Sequence, residues 1–166
     1  MQESRYLKDN LENIQRLMAI PALRNFETSN LSRLLHLSKM REYEAGETII
    51  QEGDEDPWLY FLLEGSVRVT KKEVEIGVIG EMGDLFGEMR IIDSQSRSAT
   101  VVALEPTVCL AVNTTAKDRM EGSGDRDEQL DFLLLLYRIF AEFLSLRLRL
   151  TNDELIKVNK ILKALA

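Results

Sequence analysis

At 166 residues the chain is long enough for one domain with a proper core and too short to fit a second full domain easily. Its 45% hydrophobic and 30% charged residues exclude general disorder. The net charge of −7 disfavours direct nucleic-acid binding, because an acidic surface repels a polyphosphate backbone.

The start, Met1-Gln2-Glu3-Ser4-Arg5, is polar and has no apolar stretch of signal-peptide type behind it. Residues 4–38 then read as helices, since Leu7, Leu11, Ile14, Leu17 and Met18 recur at helical spacing. Pro21 interrupts, and Ser29 or Asn30 can cap a second helix through Leu31, Leu34, Leu35 and Leu37. The single histidine, His36, falls on that helix as a partly buried structural residue.

From about residue 40 to 112 the pattern changes to short apolar runs at 48–50, 58–63, 67–69, 74–79, 99–104 and 108–112. The breaks hold Ala45-Gly46, Glu52-Gly53-Asp54, Glu64-Gly65, Gly80 to Gly83 and Glu105-Pro106. Many short strands with glycine turns at this spacing predict an antiparallel sandwich or roll. The single cysteine, Cys109, lies in the last run and is expected to be a buried small hydrophobe. One cysteine allows no intrachain disulfide and no thiolate cluster for iron or zinc.

Residues 126–165 contain no glycine or proline. A seam of Leu130, Leu134, Tyr137, Ala141, Leu144, Leu148, Thr151, Leu155, Val158, Leu162 and Leu165 advances by alternate steps of four and three, the heptad rule of a left-handed coiled coil. One such helix would be roughly 60 Å long. Leu133, Phe140 and Ile161 flank the seam, so the helix is expected to pack on its own roll as well as on a partner helix. A short second helix folding back after Thr151-Asn152-Asp153 is the alternative. Asp131, Arg138 and Glu142 interrupt the most apolar stretch, which falls short of the ~20 nearly uncharged residues of a membrane span. These features point to a cytoplasmic protein without a membrane partner.

The segment with the clearest chemistry is Gly83-Asp84-Leu85-Phe86-Gly87-Glu88-Met89, continuing to Arg97-Ser98-Ala99-Thr100. A glycine-rich turn after a strand, leading into a helical turn, presents unpaired backbone N–H groups that form an anion nest. Arg97, expected to start a strand, supplies a permanent cation, and Ser98 a hydroxyl donor. Glu88 places a fixed carboxylate where sugar hydroxyls could donate to it. Together these suit a singly charged phosphate beside a ribose.

This stretch resembles the phosphate-binding cassette of the cyclic-nucleotide-binding domain family, in which Phe-Gly-Glu is followed, after a short connection, by Arg, a small residue, Ala and often Thr. The chain has Phe86-Gly87-Glu88 and Arg97-Ser98-Ala99-Thr100 in that order. Tyr43-Glu44-Ala45-Gly46-Glu47, Gln51-Glu52-Gly53-Asp54 and Tyr60 through Gly65-Ser66-Val67 extend the likeness, which covers roughly residues 26 to 152. The resemblance implies that Glu88 binds the ribose 2′-hydroxyl and Arg97 the cyclic phosphate. Gly87 and Met89 would act through backbone groups, Ser98 through its hydroxyl and N–H. Arg147-Leu148-Arg149-Leu150-Thr151-Asn152 looks like the adenine-reading helix of the bacterial catabolite activator group, which implies that Thr151 contacts the purine and Asn152 reaches across the dimer. Arg90 departs from the family, which has a small residue there. It could point outward to Asp93 or another acid, enter the pocket as a second cation, or occupy the phosphate site and abolish binding.

The expectation is therefore an α+β protein: N-terminal helices, an eight-stranded antiparallel β-roll (jelly-roll-like, a double-stranded β-helix) and a long C-terminal dimerisation helix. Residues 1–125 would form the helices and roll and 126–166 the dimer helix. The implied ligand is cAMP, with cGMP less favoured and no metal. The implied assembly is a homodimer through 126–165 that signals to an effector protein. The segment after Asn152 is too short for a helix-turn-helix, so DNA binding is not expected within this chain. One histidine outside the strands cannot furnish a cupin-like metal site or a Ser-His-Asp triad, so the protein is not expected to be an enzyme. A ligand-independent dimeric scaffold with a degenerate pocket is the alternative.

Overall fold

The computed structural model describes residues 1–4, 15, 17–20, 23, 28–89, 95–113 and 126–165. In chain order the elements are β1 (Gln2–Glu3), α1 (Thr28–His36), β2 (Ser38–Tyr43), β3 (Thr48–Ile50), β4 (Trp58–Glu64), β5 (Val67–Lys71), β6 (Val74–Ile79), β7 (Leu85–Phe86), β8 (Thr100–Ala103), β9 (Thr107–Asn113) and α2 (Arg126–Leu165). The chain divides into two compact units, Met1–Ser123 and Gly124–Ala166.

In the first unit the strands form two antiparallel sheets, ordered β1-β2-β9-β4-β7 and β3-β8-β5-β6. Period-two alternation explains the core between them. Tyr60 and Leu62 of β4 and Cys109 and Ala111 of β9 point inward, to meet Ile50, Val67, Val101 and Ala103 of the other sheet. The rings of Tyr60 and Phe86 stack with centroids 5.2 Å apart, a contact worth about 1 kcal/mol beyond its buried area. Leu59, Phe61, Leu110 and Val112 on the opposite face are buried as well. That double burial explains why 58–63 is a continuous apolar run rather than an alternating one. The β5–β6 hairpin turns through Lys72 and Glu73, both at positive φ, and the Lys72 N–H donates to Glu52 Oε2 at 2.9 Å.

The roll has its eight expected strands, β2 to β9, with the two-residue β1 added at the edge of β2. That strand falls in the polar start, where no apolar pattern marks it. It is held by Glu3, whose carboxylate accepts hydrogen bonds from Lys39 Nζ and Arg41 Nε, each at 2.6 Å. Within the helical segment expected over 4–38, Gln15 and residues 17–19 are helical and α1 follows. The helix ends at His36 because β2 already begins at Ser38, whose Oγ donates to the Leu34 carbonyl at 2.5 Å. Ser29 and Asn30 lie inside α1 rather than capping it. His36 is exposed, not partly buried, since it falls on the polar side of α1 while Leu31, Leu34 and Leu35 take the buried one.

In the second unit α2 is one helix of 40 residues. It runs through Thr151-Asn152-Asp153 without a break, so the folded-back alternative is not the one the chain adopts. The heptad pattern continues unbroken across the triplet, and three weak helix formers cost less than stopping the helix. Among the described residues no helix is long and apolar enough to cross a membrane.

Candidate functional site

β7 pairs Leu85 and Phe86 with Phe61 and Tyr60, which delivers the chain to Gly87 at the edge of the five-stranded sheet. Gly87 has φ +83°, a conformation that L side chains rarely adopt. A Cβ there would lie 2.7 Å from Arg97 Nη1 and 3.2 Å from the Trp58 carbonyl oxygen, so the position needs glycine twice over. Glu88 follows, 3% exposed, and then Met89, helical and half exposed. Arg90 and Asp93 lie outside the described residues.

The chain re-enters the site at Gln95 and reaches Arg97, which precedes β8 by three residues rather than starting a strand. Its backbone pairs instead with the turn before β4. The Arg97 N–H donates to the Asp54 carbonyl at 2.8 Å, and the Gly53 N–H donates to the Arg97 carbonyl at 2.9 Å. Thr100 Oγ1 accepts from the Glu52 N–H at 3.0 Å and closes the same junction.

Arg97 is 4% exposed, and a carboxylate and two carbonyls bracket its guanidinium. Nε donates to Asp56 Oδ2 at 2.9 Å and Nη2 to Asp56 Oδ1 at 2.6 Å, a two-pronged, charge-assisted fork. Nη2 also donates to the Trp58 carbonyl, and Nη1 to the Gly87 carbonyl at 2.7 Å. The Trp58 N–H, at 3.2 Å from Asp56 Oδ1, steadies the carboxylate. Burial pushes the Asp56 carboxyl up, but the hydrogen bonds and charge of Arg97 outweigh it and hold the group below its ordinary range. Ser98 Oγ lies 3.4 Å from Met89 Sδ, so the two sides of the site touch.

A second layer stands behind. The Arg41 guanidinium lies 4.0 Å from the centroid of the Trp58 ring, a cation–π contact, and its Nη1 donates to the Tyr60 hydroxyl at 2.8 Å. Trp58 thus presents its carbonyl to Arg97 while its ring is held from the other side.

Of the residues expected to act, Gly87, Glu88, Met89, Arg97 and Ser98 come together around this turn. Thr151 and Asn152 lie on α2 in the second unit, where both are exposed. Asp56, Trp58 and Arg41 were not anticipated. The signal for Asp56 was present, since a buried arginine needs a counter-charge and Asp54-Glu55-Asp56 is an acidic cluster next to a strand. Which of the three turns inward is a matter of tertiary contact. Among the described residues no group of three or more His, Cys, Asp or Glu side chains is placed to hold a metal ion. The site offers a cation, a buried carboxylate and a left-handed glycine turn, which are anion- and hydroxyl-binding groups.

Known proteins resemble this chain in sequence and in fold. The cAMP-dependent protein kinase type II regulatory subunit of Drosophila melanogaster is 38% identical over 108 residues, 62% of this chain and 28% of that one. The cGMP-dependent protein kinase of Eimeria tenella is 30% identical over 112 residues, 68% of this chain and 11% of that one. The chain therefore corresponds to only a small part of these relatives. A cyclic nucleotide-binding domain from Methylobacillus flagellatus has the same fold, with a TM-score of 0.71 at 21% identity, covering 87% of this chain and 83% of that one. Residues 40–120 match the cyclic nucleotide-binding domain family, from within β2 to beyond β9, and the β-roll of this chain is a member of that family.

Proposed function

We propose that the chain is a cyclic-nucleotide sensor, with cAMP preferred to cGMP and no metal cofactor. Arg97 pairs with the cyclic phosphate, and Glu88 accepts a hydrogen bond from the ribose 2′-hydroxyl. Gly87 and Met89 contribute backbone groups, and Ser98 its hydroxyl and N–H. Thr151 and Asn152 read the purine and are the source of the cAMP preference. The observation that carries the proposal is the burial of Arg97 and Glu88, 4% and 3% exposed, the one bonded to the carbonyl of the left-handed Gly87 and the other following it in the chain. Folding alone has little use for such groups in a core, and clefts that bind charged ligands do.

The geometry suggests how binding could be coupled to a conformational change. Among the described residues, Asp56, Gly87 and Trp58 take four of the five N–H hydrogens of Arg97. A phosphate can accept the remaining hydrogen on Nη1, and to be held by two it must displace a carbonyl. Either exchange moves the Gly87 turn or the 56–58 segment, so the ligand favours one arrangement over the other, as a switch requires. The output passes through 126–165, paired as a homodimer, to an effector protein in the cytoplasm. The names of the relatives make a protein kinase the first effector class to try.

The same bracketing of Arg97 favours a second reading, a dimeric scaffold whose pocket is complete without ligand. Calorimetric titration with cAMP, and separately cGMP, alongside Arg97→Ala distinguishes the two. Micromolar or tighter binding that is lost in Arg97→Ala is the expected result. No heat with either nucleotide would leave the scaffold as the better account, and unchanged affinity in Arg97→Ala would overturn the site assignment.

A further inference from the structure

β2 carries two cations on its inward side. In the antiparallel register Lys39 lies opposite Ala111 and Arg41 opposite Cys109, and both of these β9 residues belong to the core, as does Tyr43 two residues further along β2. Period-two alternation therefore turns Lys39 and Arg41 toward the interior, and the Arg41 side chain is only 11% exposed. Folding alone would favour an apolar residue at such a position, because a guanidinium withdrawn from water has to be matched by acceptors.

Three groups match it. Glu3 Oε2 accepts from Arg41 Nε at 2.6 Å, the Tyr60 hydroxyl accepts from Nη1 at 2.8 Å, and the centroid of the Trp58 ring lies 4.0 Å from the guanidinium. Trp58 and Tyr60 belong to β4, which β9 separates from β2. The arginine crosses β9 where Ala111, between Lys39 and Tyr60 in the register, has no bulk to obstruct it. Lys39 Nζ, 5.8 Å from the Trp58 ring and 2.6 Å from Glu3 Oε1, adds a second and more distant cation.

The backbone behind the ring gives this contact its use. Trp58 is the first residue of β4, and its main chain touches both halves of the buried ion pair. Its N–H donates to Asp56 Oδ1 at 3.2 Å, and its carbonyl accepts from Arg97 Nη2. Resting on the sensor reading above, we infer that Arg41 is a positioning residue of the nucleotide site, which holds Trp58, and with it the guanidinium of Arg97, in the arrangement that receives the phosphate. A planar fork can donate to two acceptors and stack on a ring at once, whereas a lysine ammonium is a point charge. An Arg97 that is already aimed loses little freedom when the ligand arrives, so the hold on Trp58 contributes to affinity. With Trp58 held, the exchange with a phosphate falls to the Gly87 carbonyl.

The test is calorimetric titration of the full chain with cAMP, comparing wild type with Arg41→Met, which keeps the length of the side chain and removes its charge and donors. Binding should weaken on the order of ten-fold at unchanged stoichiometry, through loss of a cation–π contact shielded from water. A merely structural role would lower the number of competent sites and leave their affinity alone. Unchanged affinity overturns the inference, and so does tighter binding, which would mean that Arg41 holds an arrangement the nucleotide must break. If Arg41→Met does not fold, Glu3→Gln decides in its place. The Glu3 side chain is 26% exposed, and removing the counter-charge of Arg41 there should weaken binding about three-fold, with equal affinity the refuting result. A wild type that gives no heat overturns the sensor reading instead, and Arg41 is then judged without ligand, by a double-mutant cycle with Arg97→Lys in urea unfolding. Coupled through Trp58, the two substitutions together should raise the unfolding constant about three-fold less than the product of their separate effects. Effects that multiply in full overturn the inference, as do effects that exceed the product, the sign that repulsion between the two arginines would give.

Discussion

Asp56→Ala removes the carboxylate that the structure places on Arg97, and its cost follows from how little water reaches that arginine. The Arg97 side chain is 3% exposed and that of Asp56 31%, so the substitution leaves a guanidinium that solvent barely touches, held by two carbonyls. Breaking a fully buried pair in this way costs about 3–5 kcal/mol. The wetter Asp56 side lowers this to about 2–3 kcal/mol, because the carboxylate was never wholly withdrawn from solvent. For a unit the size of Met1–Ser123 the loss corresponds to a fall in melting temperature of roughly 10 °C. Thermal denaturation followed by circular dichroism and by the fluorescence of Trp58, the single tryptophan, reads it directly. A bound cyclic phosphate would return an anion to the stranded guanidinium. Nucleotide should therefore raise the melting temperature of Asp56→Ala by more than it raises that of the wild type. If the variant melts within about 2 °C of wild type, the change of a typical surface substitution, then Asp56 does not hold Arg97 in solution.

Three other outcomes are expected. Gly87→Ala forces a Cβ to within 2.7 Å of Arg97 Nη1 at φ +83°, and should cost about 1–3 kcal/mol of stability and at least ten-fold in nucleotide affinity, measured by melting and by calorimetry. Asp56 titrates lower in the folded chain than in the unfolded one, so its contribution is complete above the ordinary carboxyl range near pH 4 and is lost as the pH falls through its folded value. The stability difference between wild type and Asp56→Asn should accordingly be constant from pH 7 to about 5 and shrink on acidification below about pH 4; a difference that grows there contradicts the assigned sign. Cys109 is buried and its thiol is pushed up to about 12, so iodoacetamide at pH 8 should leave the native chain unmodified and alkylate it in denaturant, as mass spectrometry would show.

Much of the roll could be read from the sequence because its physics is local. Trp58 to Leu63 and Val108 to Val112 are apolar runs bounded by turn residues, and both became strands of the five-stranded sheet. β2 was harder to see, since Ser38-Lys39-Met40-Arg41-Glu42-Tyr43 reads as a charged segment. It is a strand because Lys39 and Arg41 find Glu3 and the Trp58 ring, partners far away in sequence. Leu85-Phe86 is too short to carry a period, and pairing with β4 alone makes it a strand.

By itself the sequence determined the order of the parts: a helix ahead of the roll, short strands with glycine breaks, the Gly87–Glu88 turn and Arg97, and a heptad-spaced helix. Each of these is written in neighbouring residues, in periods of two, in steps of three and four, or in the freedom of a glycine. Tertiary structure decided where the charges went. It turned Asp56 rather than Asp54 or Glu55 onto Arg97, brought the carbonyls of Gly87 and Trp58 to the same guanidinium, and set Arg41 behind Trp58. A buried ion must find its counter-ion wherever the fold supplies one, and no local pattern records that choice.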